Sequence, residues 1–146
     1  MTTPVFLMLV DDETSFIETM TKRLKKREFT VISALSGTEA LKLLRSHQNL
    51  DVILLDVKMP GMDGIATLQE IKKSYPLLEV IMLTGHGTIE TAVEGMKLGA
   101  YDYLLKPADV DEISAKLEGA RKRKDEQEDR IRKAEQRSLL RRGGNI

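Results

Sequence analysis

The sequence predicts an α/β fold in which helices cover both faces of a parallel sheet. Three stretches, at 5–10, 52–55 and 80–83, are continuous apolar runs, typical of strands buried on both faces. Shorter strand-like stretches lie at 30–34 and 101–105. A segment with helical periodicity follows each stretch. Five strands alternating with five helices favour parallel pairing through right-handed crossovers.

The helical segments are recognised by apolar spacing and by their termini. Ser36 with Glu39 forms a capping box at the start of the second helix. Gly99 is suited to end the fourth helix in a left-handed turn, and the fifth helix is expected to begin near Asp109. The apolar positions that set the period are Phe16, Ile17, Met20, Leu24, Ala40, Leu41, Leu43, Leu44, Leu68, Ile71, Ile89, Ala92, Val93, Met96, Val110, Ile113, Leu117 and Ala120.

Length and composition limit the class of protein. The chain has 146 residues and 41% hydrophobic residues, which fits one domain with a packed core. The absence of cysteine excludes a disulfide scaffold and a thiolate nucleophile. The apolar run at 5–10 is too short for a signal peptide or a membrane span. We therefore expect a cytoplasmic, soluble protein.

The net charge is zero, but basic and acidic residues are unevenly distributed along the chain. Residues 121–142 contain ten basic and five acidic side chains, whereas residues 1–120 contain thirteen basic and eighteen acidic ones. Mixed signs in the tail favour a solvated helix and argue against nucleic-acid binding. Its heptad-like rhythm includes polar members, which favours a single helix over a coiled coil. The predicted division is a domain at 1–121 and a charged helical tail at 122–146.

Polar side chains stand where the predicted strands end. Asp11 and Asp12 follow the first strand, and Asp56 ends the third. Thr84 ends the fourth strand and Lys106 follows the fifth. Asp56 alone would be interpreted as a solvated loop residue. Because parallel strands bring their carboxyl ends to one edge of the sheet, however, we expect all five side chains to converge there.

This set of residues suits phosphoryl chemistry. Three adjacent carboxylates repel one another, and Mg²⁺, which prefers oxygen ligands and often binds carboxylates together with a phosphate, relieves that repulsion. Asp56 could attack phosphorus and form an aspartyl phosphate, with Lys106 and Thr84 binding the phosphoryl oxygens. The chain has no GxxxxGK[ST] motif, so the donor is expected to be another phosphorylated molecule.

Several motifs together resemble the receiver domain of bacterial two-component response regulators. They are 9–13, Asp56 with 59–64, Thr84-Gly85, and 103–107, and the resemblance covers roughly 4–120. The stretch from Thr84 to residue 105 is most similar to receivers of enhancer-binding ATPase activators. The resemblance implies a flavodoxin-like (βα)5 three-layer sandwich with strand order 2-1-3-4-5, here extended by a C-terminal helix.

The resemblance also implies roles for individual residues. Asp56 would accept the phosphoryl group. Thr84 and Tyr103 would switch position on phosphorylation, and Lys106, in a cis peptide with Pro107, would bind the phosphate. The implied Mg²⁺ ligands are Asp12 directly, Asp11 through water, Asp56, and the backbone carbonyl of Lys58.

The implied function is a signalling module. A sensor histidine kinase or phosphotransfer protein would supply the phosphoryl group, and the module would catalyse only its own phosphorylation and slow dephosphorylation. Its fourth helix, fifth strand and fifth helix would present the switched surface to a downstream protein. A dimer could form through that surface or through the tail helix.

Three alternatives stay open at this point. A degenerate receiver would act as a binding module without phosphorylation. An aspartyl phosphatase of the haloacid-dehalogenase type would need a second aspartate where Lys58 stands, which argues against it. The sequence does not decide whether the chain is a stand-alone receiver or part of a longer regulator, since only a charged helix follows the domain.

Overall fold

Five parallel strands form one sheet in the order β2-β1-β3-β4-β5. The computed structural model describes residues 3–57, 63–85 and 89–143. The strands are β1 (Phe6–Val10), β2 (Thr30–Ala34), β3 (Val52–Asp56), β4 (Glu79–Thr84) and β5 (Asp102–Leu105). The helices are α1 (Thr14–Lys26), α2 (Gly37–Ser46), α3 (Gly64–Ser74), α4 (Ile89–Lys97) and α5 (Val110–Gly143). This arrangement confirms the predicted flavodoxin-like fold and its long C-terminal helix.

The two faces of the sheet are buried in two separate apolar cores. One core joins the sheet to α1 and α5 through residues such as Leu24 and Leu117. The other joins it to α2 and α3 through residues such as Leu44 and Ile71. All five residues of β3 are buried, as expected for the central strand of a doubly covered sheet.

Local sequence signals place the helix termini. The Ser36 hydroxyl accepts a hydrogen bond from the Glu39 backbone N–H at 3.1 Å, and the Glu39 carboxylate accepts one from the Leu35 N–H at 3.1 Å. Asp63 caps α3 by accepting from the Ala66 N–H at 2.8 Å. Gly99, just after α4, has φ +105°, a conformation that favours glycine. The capping box and the left-handed glycine are therefore confirmed.

The apolar stripe of α4 is largely exposed. Ala92 is buried, but Ile89 is 81% exposed, Val93 46% and Met96 43%. The helical spacing predicted α4 correctly. The spacing alone does not show, however, whether another element covers the apolar residues of a helix. This face is therefore a patch of exposed apolar surface.

Helix α5 runs without interruption from the domain into the tail. Its 34 residues correspond to a length of about 51 Å. Ile113, Leu117 and Ala120 are fully buried, whereas residues 130–142 are exposed. No helix within the described ranges is both long enough and apolar enough to span a membrane.

Candidate functional site

Asp11 and Asp56 lie side by side at the carboxyl edge of the sheet. Val10 pairs with Leu55, so Asp11 and Asp56, which follow them, occupy adjacent positions at the ends of β1 and β3. Asp11 is 1% exposed and Asp56 6%, whereas Asp12 is exposed. Carboxylate oxygens of the three aspartates lie within 4.8 Å of one another. The predicted convergence of the three acids is therefore seen.

Hydrogen bonds hold both the backbone and the carboxylate of Asp11 in place. Its backbone N–H donates to the Ala34 carbonyl at 3.1 Å, which extends the β1–β2 ladder by one residue. One carboxylate oxygen accepts from the Glu13 N–H at 2.9 Å. The other oxygen accepts from the Lys106 ammonium at 2.5 Å. Both oxygens of this buried carboxylate are thus hydrogen-bonded, as a buried charge requires.

The Lys106 side chain reaches the acidic cluster from the end of the edge strand β5. It follows β5, and its peptide bond to Pro107 is cis, as the resemblance implied. Its ammonium lies 3.6 Å from the Glu13 carboxylate and 4.2 Å from the centre of the Phe16 ring, a cation–π distance. Glu13 and Phe16 were not predicted as part of the site.

The electrostatic environment of Lys106 favours its charged form. Burial lowers the pKa of the ammonium, but the hydrogen bond and charge of Asp11 and the charges of Asp56 and Glu13 raise it by more. The resulting pKa is higher than that of an exposed lysine. The side chain therefore stays positively charged beside the carboxylates, where it can bind an anionic group.

The chain returns to the site at the start of α3. The Gly64 N–H donates to the Val57 carbonyl at 2.9 Å. A Cβ atom at Gly64 would overlap the carbonyl oxygen of Asp56 and the Cα atom of Val57. Only glycine can approach the backbone so closely, so Gly64 fixes the end of the strand that carries Asp56.

The acidic cluster fits a Mg²⁺ ion by its chemistry. Asp11, Asp12 and Asp56 offer oxygen ligands only, close together, and two of them are buried among apolar strands. Hard divalent cations prefer such a set, and Mg²⁺ is commonly bound by one or two carboxylates, waters and a phosphate. These three residues would hold the ion.

Two predicted participants, Thr84 and Lys58, are not fully described. Thr84 ends β4 with its backbone paired to Leu105, which places it at the same edge of the sheet; its side chain lies outside the described part. Lys58, whose carbonyl was the implied fourth ligand, lies outside the described residues.

Tyr103 lies on β5, at the edge of the sheet. It is 40% exposed and pairs with Met82 through the backbone. It lines an open groove of about 370 Å³ together with Ile89, Val93 and Met96. The aromatic ring thus stands against the exposed apolar face of α4, where a change of its position would alter that surface.

A second charged cluster, at the amino edge of the sheet, was not predicted from the sequence. Glu79, at the start of β4, is 4% exposed. Its carboxylate pairs with Arg123 of α5 and lies 3.6 Å from the Lys72 ammonium. Arg123 also lies 4.7 Å from the centre of the Tyr101 ring. The hydrogen bond to Glu79 raises the pKa of Arg123.

Asp51 forms the other half of this cluster. It accepts from the Phe6 N–H at 2.9 Å and lies 3.4 Å from Arg121 and 3.3 Å from Lys124. Arg121 also donates to the Thr3 carbonyl at 3.0 Å. The first turn of α5 beyond Ala120 is thus held to the sheet, although the sequence predicted a solvated helix there.

Comparisons with known proteins agree with this geometry. The family model described as the response regulator receiver domain matches residues 7–118. The transcriptional regulatory protein ZraR of Escherichia coli K12 is 44% identical over 114 residues, which cover 78% of this chain and 26% of ZraR. An NtrX-like response regulator of Rickettsia felis is 42% identical over 116 residues, covering 78% of this chain and 24% of that protein.

A solved structure is also similar to this chain. A response regulator receiver domain protein from Clostridium thermocellum superposes with a TM-score of 0.79 at 36% identity, covering 83% of this chain and 97% of that one. The chain thus spans about a quarter of the length of the curated relatives and nearly all of this solved domain. The similarity is to the receiver portion of those regulators.

Proposed function

Because the chain belongs to the response regulator receiver domain family, we propose that it is a phosphorylation-switched signalling module with Asp56 as its phosphoacceptor. One observation carries the proposal most directly. Asp56 is buried at the carboxyl end of the central strand, in one cluster with Asp11 and Asp12, and the Lys106 ammonium contacts that cluster. Carboxylates, a metal-ligand set and a fixed cation are the parts that phosphoryl transfer to an aspartate needs.

The proposed reaction is a phosphoryl exchange. An oxygen of the Asp56 carboxylate attacks phosphorus while the bond from phosphorus to the donor atom breaks. The leaving group departs with the bonding electron pair and takes up a proton. Water later attacks phosphorus, which regenerates the carboxylate and releases inorganic phosphate. The chain therefore catalyses only its own modification and its reversal.

The side chains around Asp56 stabilise the charge of the transferred group. Lys106 would turn from Asp11 towards the phosphoryl oxygens, a short movement for an ammonium already within the cluster. Asp11 and Asp12 would hold Mg²⁺ beside Asp56, with the Lys58 carbonyl as a further ligand. When bound, Mg²⁺ neutralises negative charge on the transferring phosphoryl group. Thr84 would donate its hydroxyl to the product.

The proposed output is a change at the α4–β5–α5 surface. Phosphorylation adds about 1.5 to 2 negative charges at Asp56. Thr84 and Tyr103 would then favour a second arrangement that exists before phosphorylation at a lower population. Tyr103 and the apolar residues of α4 form a groove that this change would reshape for a downstream protein.

The partners follow from the family. A sensor histidine kinase or phosphotransfer protein would supply the phosphoryl group from phosphohistidine, and the exchange would take place in the cytoplasm. Of the relatives, ZraR is named as a transcriptional regulatory protein, and the Rickettsia felis protein is named as an NtrX-like response regulator. We propose a protein target for this chain, since Tyr103 and the exposed apolar residues of α4 line a groove that a protein partner could contact.

The proposal is tested by intact mass after incubation with acetyl phosphate. We expect one phosphoryl group to be added in the presence of Mg²⁺, and none after Mg²⁺ is chelated with EDTA. Asp56→Asn should abolish the addition, because the amide is a far weaker nucleophile at phosphorus. Asp63→Asn serves as a matched control, since Asp63 caps α3 outside the acidic cluster.

Two results would contradict the phosphoacceptor assignment. Equal labelling of Asp56→Asn and the parent protein would place the phosphoryl group elsewhere. An absence of labelling by acetyl phosphate, and also by a panel of autophosphorylated histidine kinases, would favour the degenerate receiver. In that case, binding to a partner would be independent of phosphorylation.

A further inference from the structure

The Phe16 ring is a close neighbour of Lys106 that offers no ligand atom for a metal or a phosphoryl group. The Lys106 nitrogen lies 4.2 Å from the centre of the ring, within the range of cation–π attraction. Only 14% of the Lys106 side chain is exposed, and this attraction strengthens as the cation loses its water. The ring therefore helps to keep the ammonium in the site.

The fold fixes the ring relative to Lys106. Phe16 lies in the first turn of α1, and its half-buried side chain packs against the core that joins the sheet to α1 and α5. Asp11 accepts from the Glu13 N–H at 2.9 Å, and the Glu13 carbonyl accepts from the Ile17 N–H at 3.1 Å. The carboxylate that holds Lys106 therefore also holds the start of the helix that carries Phe16.

The contacts of the Lys106 ammonium differ in what competes for them. Asp11, at 2.5 Å, is a carboxylate that would also bind Mg²⁺. Glu13, at 3.6 Å, is a carboxylate with 59% of its side chain exposed. A divalent cation attracts such oxygens and repels the ammonium. The Phe16 ring has no oxygen, so its contact with the ammonium is not open to this competition.

We propose that Phe16 is a positioning residue for Lys106, which keeps the ammonium near Asp56 while its contact with Asp11 is exchanged for the phosphoryl oxygens. This inference rests on the proposed function. A ring face attracts a cation through its quadrupole, so the three N–H donors of the ammonium stay available to oxygen acceptors. The ammonium would thus turn towards the phosphoryl group and remain over the ring.

The ring should matter more in the transition state than before the reaction. Before transfer, the charged hydrogen bond to Asp11 at 2.5 Å holds the ammonium even without the ring. During transfer that bond is given up, while the ammonium must stay fixed to stabilise the transferring group. Interactions that are stronger in the transition state raise the rate of the chemical step, so loss of the ring should slow phosphorylation.

Packing alone is the rival explanation for an aromatic residue at this place. Phe16 contacts the core, and burial of a phenyl ring stabilises a domain whatever lies over the ring. A packing role predicts an effect on stability that persists when the ammonium is removed. A positioning role predicts an effect on the rate of phosphorylation that requires the ammonium.

The rate of labelling by acetyl phosphate, measured by intact mass in saturating Mg²⁺, separates these roles. Phe16→Leu keeps an apolar side chain but removes the ring, and we expect roughly two- to fivefold slower labelling. Phe16→Tyr keeps a ring and should retain the parent rate. Phe6→Leu is the matched control, because it removes another half-buried ring, beside His47 at the amino edge of the sheet. It should also retain the parent rate.

The same comparison in a Lys106→Met background shows whether the ring acts through the charge. Methionine keeps an unbranched apolar stem against the ring but has no ammonium. Phe16→Leu should then leave the slow residual labelling unchanged, because the group that the ring positions is absent. An equal fold-loss in both backgrounds would overturn the proposal and assign Phe16 to packing.

Nuclear magnetic resonance gives a readout that needs no phosphoryl donor. The face of an aromatic ring shifts nearby protons upfield, so the Cε protons of Lys106 should resonate upfield of those of exposed lysines. The signal is assigned by its loss in Lys106→Met. The displacement should disappear in Phe16→Leu and persist in Phe16→Tyr. Its absence from the parent protein would overturn the contact on which the proposal depends.

A trifluorinated phenylalanine at position 16 provides a test that is independent of folding defects in Phe16→Leu. Fluorine keeps the shape of the ring nearly constant but weakens the negative potential of its face, which attracts the cation. Slower labelling of this protein would support the proposal, and an unchanged rate would overturn it.

The role of Phe16 and the phosphoacceptor role of Asp56 fail in distinguishable ways. If the parent protein is not labelled at all, the phosphoacceptor proposal fails, and the role of Phe16 fails with it. If the parent protein and Phe16→Leu are labelled at Asp56 equally fast, only the role of Phe16 is overturned.

Discussion

The Lys106 ammonium lies 2.5 Å from a carboxylate oxygen of Asp11, although 95 residues separate the two along the chain. Both residues follow strands that end at the same edge of the sheet. Asp12 and Asp56 lie in the same cluster. These three carboxylates and one ammonium carry a formal charge of two negative units, so the cluster stores electrostatic repulsion that a cation can relieve.

Neutralising one carboxylate should therefore stabilise the metal-free protein. We expect Asp12→Asn to raise the free energy of unfolding in EDTA by about 1 kcal/mol, the Coulomb energy of two unit charges roughly 4 Å apart in water. The additional stability that Mg²⁺ gives the parent protein should be lost in the variant. Urea unfolding, measured in EDTA and in 10 mM Mg²⁺, checks both effects.

Glu18→Gln, on the exposed face of α1, removes the same charge outside the cluster. This control should keep the stabilisation by Mg²⁺. If Asp12→Asn also kept that stabilisation, the carboxylate of Asp12 would not be a ligand of the metal.

Gly64 is predicted to be essential for the position of Asp56. Gly64→Ala forces a Cβ atom into the backbone of Asp56 and Val57, and overpacking of this kind costs about 1–3 kcal/mol. Gly85→Ala is the control, because its Cβ would lie at an ordinary 3.6 Å from the Lys106 side chain. Thermal unfolding should show a clear loss for the first variant only; equal melting temperatures would mean that the strand end adjusts freely.

The pair formed by Glu79 and Arg123 should contribute measurably to stability. Glu79 is buried, so removing its partner leaves a charge with poorer compensation. A double-mutant cycle of Glu79→Ala and Arg123→Ala should give a coupling of about 1–3 kcal/mol. The Asp129–Arg132 pair, exposed on the tail, should couple far more weakly, because solvent screens its charges. Equal couplings would show that the anchor of α5 is as weak as a surface pair.

Tyr103 offers an optical test of the proposed switch. The chain contains no tryptophan, so Tyr103→Trp introduces a single reporter at a position that is 40% exposed. Phosphorylation should shift its emission to shorter wavelength as the ring moves inward. Tyr75→Trp, at the other end of the sheet, should show no shift. Unchanged emission from both variants, in samples shown by mass to be phosphorylated, would argue against movement at Tyr103.

The fold and the acidic cluster were predictable because they depend on short-range patterns. Apolar runs predicted β1, β3 and β4, and parallel pairing then determined which edge Asp11, Asp56 and Lys106 share. The capping residues Ser36 and Gly99 act within a few residues of their own position. For the strands and the caps, the physical cause lies next to its effect in the sequence, and the convergence of Asp11 with Lys106 then follows from the parallel order of the strands.

Features that depend on distant partners were not predictable in the same way. Glu79 and Arg123 are 44 residues apart, and nothing near either residue indicates that α5 passes the start of β4. The spacing of Ile89, Val93 and Met96 is the same whether a helix is covered or exposed. The charged residues after Ala120 likewise predicted a helix but not its contacts with Asp51 and Glu79.

The central claim is that Asp56 itself receives the phosphoryl group. The most direct measurement is peptide mapping after the labelled protein is reduced with borohydride, which converts an aspartyl phosphate to homoserine. We predict homoserine at position 56 alone, and only in samples labelled in the presence of Mg²⁺. Homoserine at position 11 or 12, or a labelled protein without homoserine at position 56, would contradict the account.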